Sequence, residues 1–191
     1  MAIIAALFVT GAYSNEVYIE QVGSSTTVTI TQQGSDNKVG TNITPVYIGS
    51  GSNTVTVDQI GSMNLLAMVV NGASTNVTLS TTGSGNDMEV QCGTSVASSC
   101  SGSTITQTIV GDNNITKQLL GSGANHTSTM TVMGDTNTVS HTSTSTGTTS
   151  ATITVTGNTN TVGVTQSGTL QQTIVVDSTG NNNNIGIVQS N

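Results

Sequence analysis

Seven times along the chain a glycine is followed three residues later by an asparagine: Gly34/Asn37, Gly61/Asn64, Gly83/Asn86, Gly111/Asn114, Gly134/Asn137, Gly157/Asn160 and Gly180/Asn183. Successive glycines are 27, 22, 28, 23, 23 and 23 residues apart, a period of 22 or 23 interrupted twice. A fixed period of this length marks a repeat architecture, in which each unit buries its apolar face only by stacking on its neighbours. The two long intervals contain Thr41 to Pro45 and the stretch between Cys92 and Cys100. Both are read as insertions bulging from an otherwise regular coil.

Each period divides into two arms of about eleven residues that alternate apolar and polar positions. Asn160, Val162, Val164 and Gln166 share one face, as do Asn183, Ile185, Ile187 and Gln189. Asn53, Val55, Val57 and Gln59 repeat the pattern, and Thr26, Val28, Ile30 and Gln32 vary only its first position. A helix would scatter these residues around its circumference, so the alternation specifies a strand. Glycine at the corners supplies the positive φ of a tight turn. The expectation is an all-β, two-sheet β-solenoid of strand-turn-strand repeats, about 22–23 residues per coil, with residues 15–191 as one domain.

One hairpin of this kind buries too little to fold alone. Stacked coils let each inward Val or Ile contribute roughly 1.5–3 kcal/mol by leaving water. Buried amides are costly unless paired, and identical side chains stacked in register pair with one another as ladders. The inward ladder is therefore assigned to Asn37, Asn64, Asn86, Asn114, Asn137, Asn160 and Asn183, with Gln32, Gln59, Gln166 and Gln189. At about 4.8 Å per coil, seven coils make a rod of about 35 Å.

Only 6% of the 191 residues are charged and 2% aromatic, the balance being rich in Ser, Thr, Asn, Gln and Gly. The net charge is -7, with Lys38 and Lys117 the only basic residues besides histidine. Nucleic-acid binding, which needs a basic stripe to displace counterions, is excluded as an expectation. Residues 1–14 read as a signal peptide: a short apolar run, Ala2 to Val9, precedes small residues at Ala12 and Ser14, which makes Asn15 the mature start and the protein secreted. In an exported chain, Cys92 and Cys100 flanking a small loop read as a disulfide.

Threonines recur about once per coil at outward positions: Thr27 and Thr29, Thr54 and Thr56, Thr78, Thr104 and Thr106, Thr129 and Thr131, Thr152 and Thr154. In register they would pave one flat sheet with hydroxyl and methyl groups. Two readings stay open, an ice-binding face or simply the preference of exposed strands for Thr. His126 and His141 stand apart in sequence and are assigned to the solenoid surface. No paired carboxylates, nucleophile constellation or metal-ligand spacing accompanies them, so neither catalysis nor a cofactor is expected. Asp36, Asp112 and Asp135 follow corner glycines, where Asp commonly completes a turn.

The segments Gln32-Gln-Gly34-Ser-Asp-Asn37 and Gln59-Ile-Gly61-Ser-Met-Asn64 carry the central Gln-x-Gly-x-x-Asn of the curlin repeat. Gln21-Val-Gly23-Ser-Ser-Thr26-Thr-Val28 follows it with Thr for Asn and Val for Ala. The chain thus resembles curlin-repeat proteins, the subunits and nucleators of curli-type extracellular amyloid fibres. The resemblance implies a structural subunit or nucleator acting in adhesion or biofilm assembly. It also implies partners: identical copies stacked end to end, a nucleator, an outer-membrane export pore and the cell surface. Two alternatives remain beside it, an ice-binding solenoid and a monomeric adhesin of a virion or cell surface. The Cys92–Cys100 loop, and Val or Leu where the family has Ala, depart from the pattern.

Overall fold

The computed structural model describes residues 3–8, 14–22, 25–42, 44–49, 51–93, 100–121, 123 and 125–191. The small-residue position Ala12 and the interior of the cysteine loop, residues 94–99, lie outside these. No helix occurs among the described residues. The chain runs in coils, each placing one arm in a first sheet and the next arm in a second.

The first coil is β1 (Ile3–Phe8), then β2 (Glu16–Val17) and β3 (Ile19–Val22). The second is β4 (Thr27–Ser35), then β5 (Lys38–Val39) and β6 (Val46–Gly49). From there every coil has one strand per sheet: β7 (Thr54–Ser62) and β8 (Leu65–Val70), β9 (Asn76–Ser84) and β10 (Asp87–Cys92), β11 (Thr104–Val110) and β12 (Ile115–Leu120). The last three are β13 (Thr127–Met133) and β14 (Thr138–Ser143), β15 (Thr149–Thr156) and β16 (Thr161–Ser167), β17 (Gln172–Thr179) and β18 (Asn184–Ser190).

The first sheet has eight strands in the order β1-β4-β7-β9-β11-β13-β15-β17, and the second runs from β2 to β18 in the same direction. Among the described residues every strand pairing is parallel and joins one coil to the next. The register repeats the sequence period: Thr27 pairs with Thr54, Thr54 with Asn76, Asn76 with Thr104, Thr104 with Thr127, and Thr127 with Ser150. The fold is the expected two-sheet β-solenoid.

The two long intervals arise at different places. Residues 40–45 interrupt the second coil's second arm, between β5 and β6, where Thr41 N–H donates to the carbonyl of Thr44 at 2.9 Å. The other insertion lies between β10 and β11, and the disulfide Cys92–Cys100 spans it with a Cα–Cα distance of 5.5 Å. Both cysteines are buried.

Alternate residues of each arm point into the narrow space between the sheets. Val28, Val55, Val77 and Ile105 form one inward column of the first sheet, and Leu66, Met88, Val139 and Val162 belong to an inward column of the second. The apolar interior is not continuous. One cluster runs from Val28 to Leu120 and a second from Met130 to Val176.

Candidate functional site: stacked corners, the polar seam and the threonine face

At the first corner, where a coil passes from the first sheet to the second, the chain follows one rule seven times. A glycine with φ between 111° and 132° is followed by a residue, then by a left-handed one, then by Asn. The left-handed position holds Asp36, Met63, Gly85, Asn113, Thr136, Thr159 and Asn182. The glycine is needed for a second reason besides its φ. A Cβ on Gly61 would overlap the carbonyl oxygen of Gly83, and one on Gly134 that of Gly157, because the corners stack backbone on backbone. The positive φ expected of glycine alone is thus shared, one residue pair per corner, between Gly and a residue that is usually not Gly.

Behind this corner Asn37, Asn64, Asn86, Asn114, Asn137, Asn160 and Asn183 stand in a single column. From Asn37 to Asn137 each Oδ1 accepts two bonds from the next coil, as Asn114 Oδ1 does from the Asn137 backbone N–H at 2.9 Å and from its Nδ2 at 3.0 Å. The second Nδ2 hydrogen goes to a corner carbonyl, as from Asn114 to Gly134 at 2.8 Å. The same contacts recur through Asn160. Asn15 begins the column, accepting the Asn37 N–H at 3.0 Å. Its place, 22 residues before Asn37, is one period away and was available as a signal. The ladder has polarity: from Asn to Asn, the backbone N–H and one Nδ2 hydrogen face the preceding coil and Oδ1 the following one, while the second Nδ2 hydrogen reaches the following coil's corner carbonyl. At the last coil Asn183 donates its Nδ2 to Ser178 Oγ at 3.3 Å and to the Thr179 carbonyl at 3.2 Å.

A second, exposed ladder borders the first and runs the opposite way. Asp135 Oδ1 accepts the Asp112 N–H at 2.8 Å, and Asn158 Oδ1 accepts the Asp135 N–H at 2.7 Å. Asp112 and Asp135 therefore complete turns of the neighbouring coil.

The four glutamines are inward but do not form one column. Gln32 and Gln59 pair in the first sheet, Nε2 to Oε1 at 2.8 Å, and Gln166 and Gln189 pair in the second at 3.2 Å. Between them the first-sheet column holds Thr81, Ile109, Val132 and Val155. Both arms share one alternation, so sequence alone merged two columns into one.

The second corner, leading back to the first sheet, carries a buried column of unlike residues: Thr26, Asn53, Thr75, Ser103, His126, Thr149 and Gln172. Here the Thr75 N–H donates to Asn53 Oδ1 at 3.0 Å and the His126 N–H to Ser103 Oγ at 3.0 Å. The period of this column equals that of the Asn column, which is the signal that places His126. Neither histidine is on the surface: His126 and His141 are both 0% exposed. This corrects the surface assignment, and the reason is that an inward strand position can hold a polar group when neighbouring coils supply its bonds.

His141 sits in a relay through the core. Gln118 Nε2 donates to Ser128 Oγ at 3.0 Å, Ser128 Oγ meets His141 Nδ1 at 2.8 Å, and His141 Nε2 meets Gln166 Oε1 at 3.0 Å. Since Gln166 Oε1 can only accept, Nε2 carries the proton and Nδ1 accepts from Ser128. His126 Nδ1 lies 2.7 Å from Thr149 Oγ1 and accepts the Thr149 N–H at 3.3 Å. Burial lowers the pKa of both imidazoles. The Gly123 backbone partly opposes this at His126, and the Gln166 bond does so at His141, where the nearby His126 lowers it further.

All the outward threonines named from sequence lie on the outer face of the first sheet. Thr29, Thr56, Thr78, Thr106, Thr129 and Thr152 form an unbroken column that ends in Val175. One flank is Thr27, Thr54, Asn76, Thr104 and Thr127, and the other is Thr31, Asp58, Ser80, Thr108, Thr131 and Thr154. The second sheet presents a different surface. Its outer side holds both lysines, Lys38 paired with Glu16 at 3.3 Å and Lys117 with Glu89 at 2.8 Å. A shallow cleft on that side is lined by Glu20, Pro45, Tyr47 and Val69. Among the described residues no group of three or more His, Cys, Asp or Glu converges as a metal site would require.

Stacked corners, a buried amide ladder and parallel coils define a β-solenoid repeat protein. Within that class, residues 12–39 match the family model of the curlin associated repeat, so the chain is similar to curlin-repeat proteins through a segment a little longer than one coil. No curated protein and no solved structure matches the chain.

Proposed function

We propose that the chain is a secreted, non-enzymatic structural subunit or nucleator of a curli-like extracellular fibre, growing by end-to-end stacking of solenoids. The observation that carries this reading is the state of the last coil. The inward residues of β18, among them Ile185, Ile187 and Gln189, are only partly buried. Its backbone edge is that of a parallel strand with one neighbour, a template for another copy. Asn183 extends the Asn ladder by one step, its N–H donating to Asn160 Oδ1 at 2.9 Å. An incoming coil bearing an Asn at the corner would supply the matching N–H and Nδ2 donors. The curlin-repeat match supports the same reading, and by analogy adds a nucleator, an outer-membrane export pore and a role in surface adhesion.

Thioflavin fluorescence with electron microscopy of the mature chain tests this. Fibres are expected for the wild type. Ile187→Lys, which charges the inward side of the end coil, should abolish growth, and because Ile187 packs on the second apolar cluster, circular dichroism of the monomer checks that the variant stays folded. A chain that stays monomeric at high concentration, or an Ile187→Lys protein that polymerises like the wild type, overturns the reading.

A second reading is favoured by one observation, the unbroken threonine column on a face lacking lysine. Such a face, regular in two directions at strand and coil spacing, suits ordered water, and it would make the monomer ice-binding. Thermal hysteresis that vanishes in Thr129→Tyr supports it. An absence of hysteresis in the wild type removes it.

A further inference from the structure

The interior of the rod changes character at the fifth and sixth coils. Gln107, Thr116, Gln118, Ser128, His126, His141, Ser143 and Thr149 are all buried there, and they separate the apolar cluster ending at Leu120 from the one beginning at Met130. The bonds across this zone require both histidines to be neutral. We propose that the polar seam through the fifth and sixth coils is an acid-sensitive break point, at which protonation of His126 and His141 opens the rod between its two apolar blocks.

The geometry at each ring supports this. A proton on His126 Nδ1 would face the Thr149 N–H that now donates to that atom, setting donor against donor. A proton on His141 Nδ1 would turn the Ser128 hydroxyl away from the atom that now accepts it, breaking the relay between β12 and β16. No counter-charge is at hand. The inward groups facing the rings from β12, β13, β15 and β16 are Gln118, Ser128, Thr149 and Gln166, all neutral. The nearest charged pair, Lys117 and Glu89, lies on the outer side of β12 and β10 and is already mutually bonded. Among the described residues, the titratable group that acts on His141 is His126, and charge on both rings would repel.

Direction follows from linkage. Both imidazoles titrate below the ordinary value of 6.5 because burial disfavours their charged form. Their contribution to stability is complete above that value and is lost as pH falls toward the lowered pKa. Between pH 7.5 and 5 each histidine shifts the balance toward the open state by up to about 30-fold, so long as the closed state stays unprotonated.

Hydrogen exchange of the full chain, read by mass spectrometry at pH 7.5 and pH 5 and corrected for intrinsic rates, tests the proposal. Opening of residues 103–166 should rise at least about tenfold more than that of residues 54–92. In His126→Thr/His141→Gln, which uses side chains the same interior already accommodates, the excess should vanish. Parallel change in both regions, or an unaltered pH response in the double variant, overturns it. Should the double variant not fold, NMR titration of the wild-type imidazoles decides instead. Both are expected to titrate below free imidazole, and values at or above it overturn the proposal. The measurement uses the monomeric rod, so its outcome is independent of whether the protein forms fibres.

Discussion

The two corners of each coil solve the same problem differently. The first corner repeats one solution: Gly, a left-handed residue and a buried Asn whose amide both gives and receives along the rod. The second corner holds Thr26, Asn53, Thr75, Ser103, His126, Thr149 and Gln172, each bonded by whatever its neighbours offer. An amide carries a donor and an acceptor on one planar group, so identical amides a coil apart satisfy one another without adaptation. A hydroxyl or an imidazole cannot do so in a uniform stack, and a mixed column satisfies itself only locally. Uniformity at the first corner gives a polar, extendable ladder. Variety at the second provides a place for titratable groups.

The largest break in this comparison should come from Gly134→Ala. At φ 120°, with the added methyl overlapping the Gly157 carbonyl, it is expected to cost about 3 kcal/mol or more in urea unfolding. Gly102→Ala at the second corner has φ 71° and meets only the end of the Asn125 side chain, so about 1–2 kcal/mol is expected. Equal losses would mean that the corners do not differ in how tightly they stack.

Next in size is Asn114→Ala, which strands the Asn137 donors, takes the Nδ2 bond from the Gly134 carbonyl and leaves Asn86 Oδ1 only the backbone N–H of residue 114, at about 3 kcal/mol. Thr75→Ala removes one bond, Oγ1 to the Cys100 carbonyl, and should cost about 1 kcal/mol. A double-mutant cycle of Asn114 with Asn137 should reveal coupling of about 1 kcal/mol or more, and additivity would count against the ladder.

An opposite sign is expected at Thr136, a β-branched residue held at φ 59°. Thr136→Gly should stabilise by about 1 kcal/mol, visible as a higher unfolding midpoint. The smallest effect concerns the two faces. Glu89→Gln releases Lys117 from a half-exposed pair and should change stability by about 0.5 kcal/mol or less, with the difference disappearing in high salt.

Much of this was legible in advance, and the reason is translational symmetry. The seven Asn residues could be assigned to one column because equal spacing and equal chemistry coincide at Asn37 through Asn183. The threonine face followed from the same regularity. What could not be read was any position where chemistry changes while spacing persists. His126 and His141 were taken for surface groups, because a lone polar residue gives no sign of whether a bonding partner waits one coil away. Gln32 and Gln166 were merged because the two arms alternate alike, and only a count of corners separates the first sheet from the second.

By itself, then, the amino-acid order determined the period, the strand character of the arms and the identity of the amide column. These depend on local backbone preference and on like groups recurring at one interval. The three-dimensional packing alone decided which arm each glutamine joins, that the apolar interior splits at Gln118, Ser128 and His141, and that both imidazoles are dry. Those outcomes depend on contacts between residues 10 to 27 positions apart, across the gap between sheets or along the stack, where no local signal reaches.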